Sequence, residues 1–256
     1  MNDLLKLFAT LMLQFMLAGV TFGQAIINTE TLMKEIDSTI FLSTNAEGDI
    51  KSGNINLLQA NSSILTGIKK NNHLLRAFVN YDFLSENKRT ISSDVSGQFR
   101  YNVFIKENSF YTFFQLQNTL SLQLNKRLVS GFGFRQTLMK NDTSKNYFDI
   151  GYGVFYENEV YQETPNSLLN IENIRISLSS YSQFQIGKKL RVMSVTYFQL
   201  NLQNENDFRI FIEPRLYYDL QKISFYIKGM YRYHNAPYIE IQNYDSDLLV
   251  GFEYKL

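Results

Sequence analysis

The chain has no cysteine and no tryptophan, only three prolines and two histidines, and its charges nearly cancel at a formal +1 over 256 residues. Without cysteine, disulfides, thiolate metal sites and anchoring through a lipidated cysteine are all excluded. Without a charge excess there is no electrostatic footprint for a nucleic-acid partner. Past the N-terminus there is also no apolar run of the roughly 20 residues that a membrane helix requires. The mean hydropathy, −0.21, is that of a soluble protein. A transmembrane β-barrel has the same profile, because only alternate residues of each strand meet lipid.

The N-terminus reads as a secretory signal peptide. Lys6 precedes an apolar stretch from Leu7 to Val20, and the small residues Thr21 and Gly23 follow. Cleavage is expected after Gly23, with Ala25 as the second choice. That divides the chain into a signal at 1–23, a short periplasmic segment at 24–35 and a barrel at 36–256.

Period-2 alternation is the main positive signal. In the last strand Leu248, Val250, Phe252, Tyr254 and Leu256 share one face, while Asp247, Gly251, Glu253 and Lys255 share the other. Leu75, Ala77, Val79, Tyr81 and Phe83 oppose Arg76, Asn80 and Asp82; Phe148, Ile150, Tyr152, Val154 and Tyr156 oppose Asp149, Gly151, Gly153 and Glu157. The pattern predicts strands at 36–47, 53–67, 73–84, 93–105, 109–123, 127–140, 146–159, 171–186, 189–203, 207–220, 222–235 and 245–256. The expected fold is therefore all-β, an antiparallel transmembrane barrel of about 12 strands, with 10 and 14 as the bounds. In a soluble sandwich or lipocalin-like barrel the apolar face would be the interior. Here charges run along one face while Tyr and Phe mark the ends of the other, which fits an inside-out barrel with aromatic girdles.

Bacterial barrels place both termini in the periplasm and their longer loops outside. Counting back from the last strand makes Glu47–Ser52, Ser85–Ser92, Leu124–Lys126, Val160–Asn170, Asn204–Asn206 and Ala236–Tyr244 external. Lys106–Asn108, Asn141–Lys145, Gly187–Lys188 and Gln221 become periplasmic turns.

Catalytic and metal chemistry have little to stand on. His73 falls in a periplasmic turn and His234 at a strand end, neither in a His-x-Ser arrangement that would share a strand face, so no catalytic residue is assigned. Asp245, Asp247 and Glu240 lack the spacing of a calcium loop and read as solvated loop residues. The candidate functional residues are the inward charges. Arg209, Glu213 and Arg215 face Lys228 and Arg232, with Glu253 and Lys255 one strand further, and Arg100, Arg135, Asp149, Glu157 and Arg175 point inward from earlier strands. Such charges either line an aqueous path or pair across the lumen and fill it.

Two segments resemble the YdiY-like, or salt-induced outer-membrane protein, family, whose function is itself unassigned. One is Gly48-Asp49-Ile50-Lys51-Ser52-Gly53-Asn54-Ile55-Asn56. The other runs from Phe113-Phe114-Gln115 through Leu124-Asn125-Lys126-Arg127 and Gly131-Phe132-Gly133-Phe134 to Tyr147-Phe148-Asp149-Ile150-Gly151-Tyr152-Gly153 and Glu157. The resemblance implies an outer-membrane barrel more firmly than it implies an activity. Its expected surroundings are outer-membrane lipid, the barrel-assembly machinery acting on the C-terminal strand, and small polar solutes, with no cofactor. A narrow or gated pore is the first expectation, a closed structural or stress-related envelope barrel the second, and a lipid-modifying enzyme a weaker third.

Overall fold

The computed structural model describes residues 39–51, 56–164 and 166–255. The expected signal peptide at 1–23, the expected periplasmic segment at 24–35, the first residues of the first expected strand, Leu256 and the side chain of Lys255 lie outside the described residues. The chain forms β1 (Ile40–Lys51), β2 (Leu57–Lys70), β3 (His73–Glu86), β4 (Arg89–Ile105), β5 (Asn108–Thr119), β6 (Leu124–Asn141), β7 (Asn146–Thr164), β8 (Ser167–Gln185), β9 (Leu190–Asn201), β10 (Phe208–Leu220), β11 (Ile223–His234) and β12 (Tyr244–Lys255). Each strand pairs antiparallel with the next, and β1 closes the barrel on β12.

The alternation expected from the sequence sets the faces. Phe132, Phe99 and Val250 are 66 %, 63 % and 60 % exposed on the outer wall, and Ile64, Leu75, Val79, Phe110, Leu178 and Phe252 join them. Apolar surface this extensive marks a contact with membrane or partner rather than with water. Tyr101, Tyr218 and Tyr254 lie towards the rim where β1 starts and β12 ends, the near rim. Tyr81, Tyr231, Tyr233 and Tyr244 lie towards the far rim. These are two girdles of amphipathic rings with an apolar band between them.

Strand lengths differ from the sequence expectation in an instructive way. Ser85–Ser92 and Val160–Asn170 are not loops: β3 and β4 continue to a turn at Asn87-Lys88, and β7 and β8 stay paired as far as Thr164↔Ser167. Asn87 and Lys88 both have positive φ, at 49° and 67°, as a two-residue hairpin turn of type I′ requires. Beyond the lipid band the outer face is no longer obliged to be apolar, so alternation fades while the hydrogen-bonded ladder goes on. A 12-residue strand tilted as in such barrels rises about 30 Å, and a 19-residue strand such as β7 or β8 about 50 Å. The β6–β8 side therefore stands well above the seam between β12 and β1, where the register runs only from Ser43↔Lys255 to Glu47↔Gly251. The first hairpin turn is also displaced: β1 runs on to Lys51 and β2 begins at Leu57, some four residues later than expected. The Leu124–Lys126 turn is replaced by a 3-10 turn at Leu120–Leu122, with Gln123 left-handed at φ 51° and Leu124 already in β6.

Candidate functional site

The interior is lined by alternate side chains of all twelve strands, and most of its charges are sealed from solvent. Every expected lumen residue whose side chain is described faces inward: Arg100, Arg135, Asp149, Glu157, Arg175, Arg209, Glu213, Arg215 and Lys228 are buried, and so is Glu253, while Arg232 is partly exposed. The charges are not arranged as loose rings around an open bore.

The densest cluster centres on Glu157 of β7. Its carboxylate accepts from Arg127 Nη2 at 2.8 Å, Arg175 Nε at 2.5 Å and Arg209 Nη1 at 3.2 Å. Glu159, two residues up the same face, takes Arg127 at 3.0 Å and Arg209 at 2.9 Å. Arg175 then reaches Asp207, in the connection before β10, at 2.6 Å. Three arginines thus meet three carboxylates with no net charge. Paired and multiply hydrogen-bonded is the arrangement in which buried ions persist. Arg209 belongs to β10 and its partners to β7, so this ion pair skips β8 and β9 and cuts across the bore as a chord.

The connection 235–243, between β11 and β12, completes the cluster. Tyr238 turns its hydroxyl into it, accepting from Asn173 and from Arg175 Nη2, each at 2.8 Å, and donating to Asp207 at 2.5 Å. Its ring meets Tyr161 edge-on at 6.1 Å and His234 at 5.5 Å. Ile239 and Ile241, like Leu169, pack with it against Leu122, Leu124 and Tyr161. Those residues belong to the β6–β8 side, and in a ring of twelve strands β6 stands opposite β12. The connection therefore crosses the far mouth of the barrel and docks on its tall side.

Asp207 ties the two parts together. His234 Nε2 lies 2.6 Å from its Oδ1 and Asn201 donates to its Oδ2 at 2.9 Å. Burial pushes the Asp207 carboxyl up, but the hydrogen bonds from His234, Arg175, Tyr238 and Asn201 outweigh it and hold the group well below the usual carboxylate range. Burial pushes the Tyr238 phenol well above its ordinary value, the Arg175 and Arg209 charges opposing this, so the hydroxyl stays a donor at neutral pH.

A second cluster lies beside the seam. Lys228 Nζ is 2.5 Å from Glu47, which also accepts from the Tyr226 hydroxyl; Arg215 bonds Glu213 at 2.9 Å and the Tyr217 hydroxyl at 3.1 Å. Ser43 donates to Glu253 at 3.3 Å. The sequence placed Arg209, Glu213 and Arg215 opposite Lys228 and Arg232, and the register agrees, with Arg215↔Lys228 adjacent. Apart from Arg215 with Glu213 on the same strand, their ion pairs are made elsewhere. Arg209 goes to β7, Lys228 to β1, and Arg232 to Asp245 at 3.0 Å and Asp247 at 3.1 Å, since neighbouring cations gain nothing from each other. Arg135 pairs with Asp149 at 2.7 Å and lies 4.1 Å over the Tyr181 ring.

Between these clusters the middle of the bore is aromatic and amide-lined. Tyr111, Phe113, Phe155, Tyr181 and Tyr197 surround a cavity of about 60 Å³ together with Gln98, Gln115, Gln199, Arg100 and Arg127, and no carboxylate is among its lining residues. Inward glycines make room for these rings. Gly133 pairs with Gly153 across β6 and β7, and a Cβ on Gly133 would overlap the Tyr111 hydroxyl. That gives the Gly-aromatic alternation at 131–134 and 151–153 a physical reason.

Several interior residues were missed in the sequence. Arg127 and Glu159 share the parity of Arg135 and Glu157 on their own strands and were within reach of that signal, while Arg191 of β9 and Glu47 of β1 stand on strands whose faces had not been assigned. Arg191, for example, pairs with Asp219 at 2.9 Å. Asp207 opens the expected strand 207–220 with the parity of Arg209, although the observed β10 begins one residue later, and Tyr238 sits in a connection, where parity carries no information. His73, in its near-rim position, lies 2.6 Å from the Tyr101 hydroxyl, and His234 is taken up by Asp207. Asp245 and Asp247 are occupied by Arg232.

Residues 45–256 match the family described as "Protein of unknown function, DUF481". No curated protein matches the chain. Among solved structures, the NanC porin is similar at 13% identity and a TM-score of 0.51, over 84% of this chain and 100% of that one. The translocator domain of the autotransporter NalP from Neisseria meningitidis is similar at 8% identity and a TM-score of 0.52, over 88% of this chain and 92% of that one. The KdgM porin follows at 10% identity and a TM-score of 0.46, over 85% and 99%. At such identities the likeness is one of fold: an outer-membrane β-barrel.

Proposed function

We propose that this chain, which belongs to DUF481, a family of proteins of unknown function, is a small passive pore for polar solutes, shut at one mouth by its own 235–243 connection. The observation that carries the reading is the path of that connection across the bore to the β6–β8 side, with Tyr238 bonded to Asn173, Arg175 and Asp207. A plug held by hydrogen bonds and a small apolar ledge is reversible in a way that a packed core is not. Withdrawing it would open the far mouth onto a polar interior that the Arg209 chord narrows.

Orientation follows the habit of bacterial barrels. With both termini periplasmic the far rim is external, and it carries the two longest described connections, 202–207 and 235–243, while near-rim turns such as 71–72, 106–107 and 221–222 are short. The outward face of β12 would carry the signal read by the barrel-assembly machinery. No catalytic step and no cofactor enter this reading, and His234 serves as a plug residue through Asp207.

Conductance of the refolded protein in planar bilayers tests it. Brief, infrequent openings are expected from the wild type, and more frequent ones from Tyr238→Ala. A second reading, a structural barrel with a permanently filled lumen, is favoured by the sealed Glu157 cluster. It requires silence from both proteins. For a lipid-modifying activity, lipid turnover that is present and lost in His234→Ala would overturn the assignment of no catalysis.

A further inference from the structure

The two kinds of cation in this chain occupy different surroundings. Every arginine but Arg89 and Arg232 is buried in the lumen, whereas Lys70, Lys106, Lys145, Lys188, Lys189 and Lys222 stand exposed on the near rim. Those six are spread over the strand ends and turns of all five near-rim hairpins, from β2–β3 round to β10–β11, so the charge follows the rim instead of gathering at one spot. The exposed acids there, among the described residues, are Glu107 and Asp142. Both lie within ion-pair distance of a further lysine, Lys140, at 3.7 Å and 2.8 Å. The far rim has the opposite bias: Glu163, Glu172, Glu205 and Glu240 are exposed there against Lys88, Arg89 and Lys126.

We infer that the near rim is a docking surface for anionic phospholipid, a belt of ammonium groups that engages lipid phosphates where the barrel leaves the hydrocarbon. The inference rests on the barrel's place in a membrane and not on the pore reading. Its first support is height. The lysines share their end of the barrel with Tyr101 and Tyr218, and an aromatic girdle sits at the level of the head groups. Lys189 Nζ lies 5.6 Å from the centre of the Tyr218 ring, which is 44 % exposed on the outer wall, so this ammonium is turned to the lipid side and not into the bore. The second support is the choice of residue. Lysine lays a flexible apolar stem along apolar surface and lifts a hydrated point charge to the head groups, whereas the planar fork of arginine suits buried carboxylates. That is the division seen between rim and lumen. The third is charge complementarity: a basic rim attracts an anionic membrane surface within about a Debye length, ~10 Å at 0.1 M salt. A soluble acidic partner would be served by charge at the turn tips alone, and the ammonium beside Tyr218 favours lipid.

The test is electron spin resonance of spin-labelled phosphatidylglycerol and spin-labelled phosphatidylcholine in phosphatidylcholine vesicles holding the refolded full chain. The share of each label immobilised by the protein gives the relative affinity of the rim for the two head groups. Phosphatidylglycerol should be preferred about threefold at low salt, and the preference should vanish near 1 M salt, where the Debye length is about 3 Å. Lys188→Gln, Lys189→Gln and Lys222→Gln combined, which neutralise two adjacent turns, should remove about half of the excess. Lys88→Gln with Lys126→Gln, at the far rim, should leave it as in the wild type. Heat-shifted gel migration and the β circular-dichroism spectrum verify folding. Should the triple variant not fold, Lys106→Gln with Lys145→Gln takes its place, since glutamine holds a positive φ elsewhere in this chain, at Gln123. Equal affinity for the two lipids in the wild type, a preference that survives 1 M salt, or one lowered as much by the far-rim pair as by the near-rim variant overturns the inference. The readout is lipid contact and not current, so a silent bilayer would remove the pore and leave the lipid belt, and equal affinities would do the reverse.

Discussion

Two buried carboxylates, Glu157 and Glu47, do different work in the same barrel. Glu47 bonds Lys228 and Tyr226 of β11, which lies just across β12, so its cluster follows the wall beside the seam. Glu157 draws together β6, β8 and β10, and through Arg175 and Asp207 it engages the 235–243 connection. One cluster braces the closure of the sheet, while the other places bonds across the bore. The difference teaches that counting inward charges says little about whether a barrel is open. What decides it is whether partners are neighbours along the wall or stand across from each other.

That distinction can be broken by mutation. The largest effect is expected for Glu157→Gln, which leaves Arg127, Arg175 and Arg209 around a neutral amide; removing one partner from a buried ion cluster costs about 3–5 kcal/mol. The urea midpoint should fall and channel openings should become frequent, because the chord and the plug's seat share this group. Lys228→Met should lower the midpoint by a comparable or slightly smaller amount while single-channel behaviour stays that of the wild type. If the two variants change conductance alike, the contrast between chord and wall tie is wrong.

Tyr238→Phe is a smaller perturbation. It deletes a hydroxyl that accepts twice and donates once, leaving buried partners short at a cost of about 1–3 kcal/mol. Open probability should rise with the urea midpoint little changed, since a connection is loosened and no strand is lost.

The smallest effect is that of mild acid on the Asp207 latch. Its carboxyl is held below the usual range, so its contribution is fully present above the ordinary carboxylate pKa of about 4 and is lost only as pH falls through the depressed folded value. Limited proteolysis of the connection should therefore be the same at pH 8 and pH 5, and cutting should rise only in stronger acid. Loss of protection in Asp207→Asn at pH 8 would tie the effect to this group.

The sequence showed the wall well and the contents of the lumen poorly, for reasons visible in particular residues. Inside the lipid band, strand parity is enforced twice, by lipid outside and polar contacts inside, so Phe148 and Asp149 or Val250 and Gly251 could be assigned on sight. Above the band one constraint is lifted, and the continuation of β7 past residue 159 and the start of β8 ahead of residue 171 went unread for that reason. Ion-pair partners were hidden because parity states which face a residue occupies and not which cation it meets: Arg209 finds Glu157 three strands away. Tyr238 was out of reach, being a single aromatic in a connection whose inward path depends on an apolar ledge built by β6, β7 and β8. The glycines of 131–134 and 151–153 were noticed as a pattern, but their purpose, the space for Tyr111, became apparent only from the packing.

The most direct measurement is the single-channel conductance of the wild type against a variant in which residues 236–242 are replaced by a short Asn-Gly turn, both refolded into the same bilayers. The account predicts a steady, larger current from the shortened protein and a mostly closed wild type. Two silent proteins, or two with the same current, would contradict it.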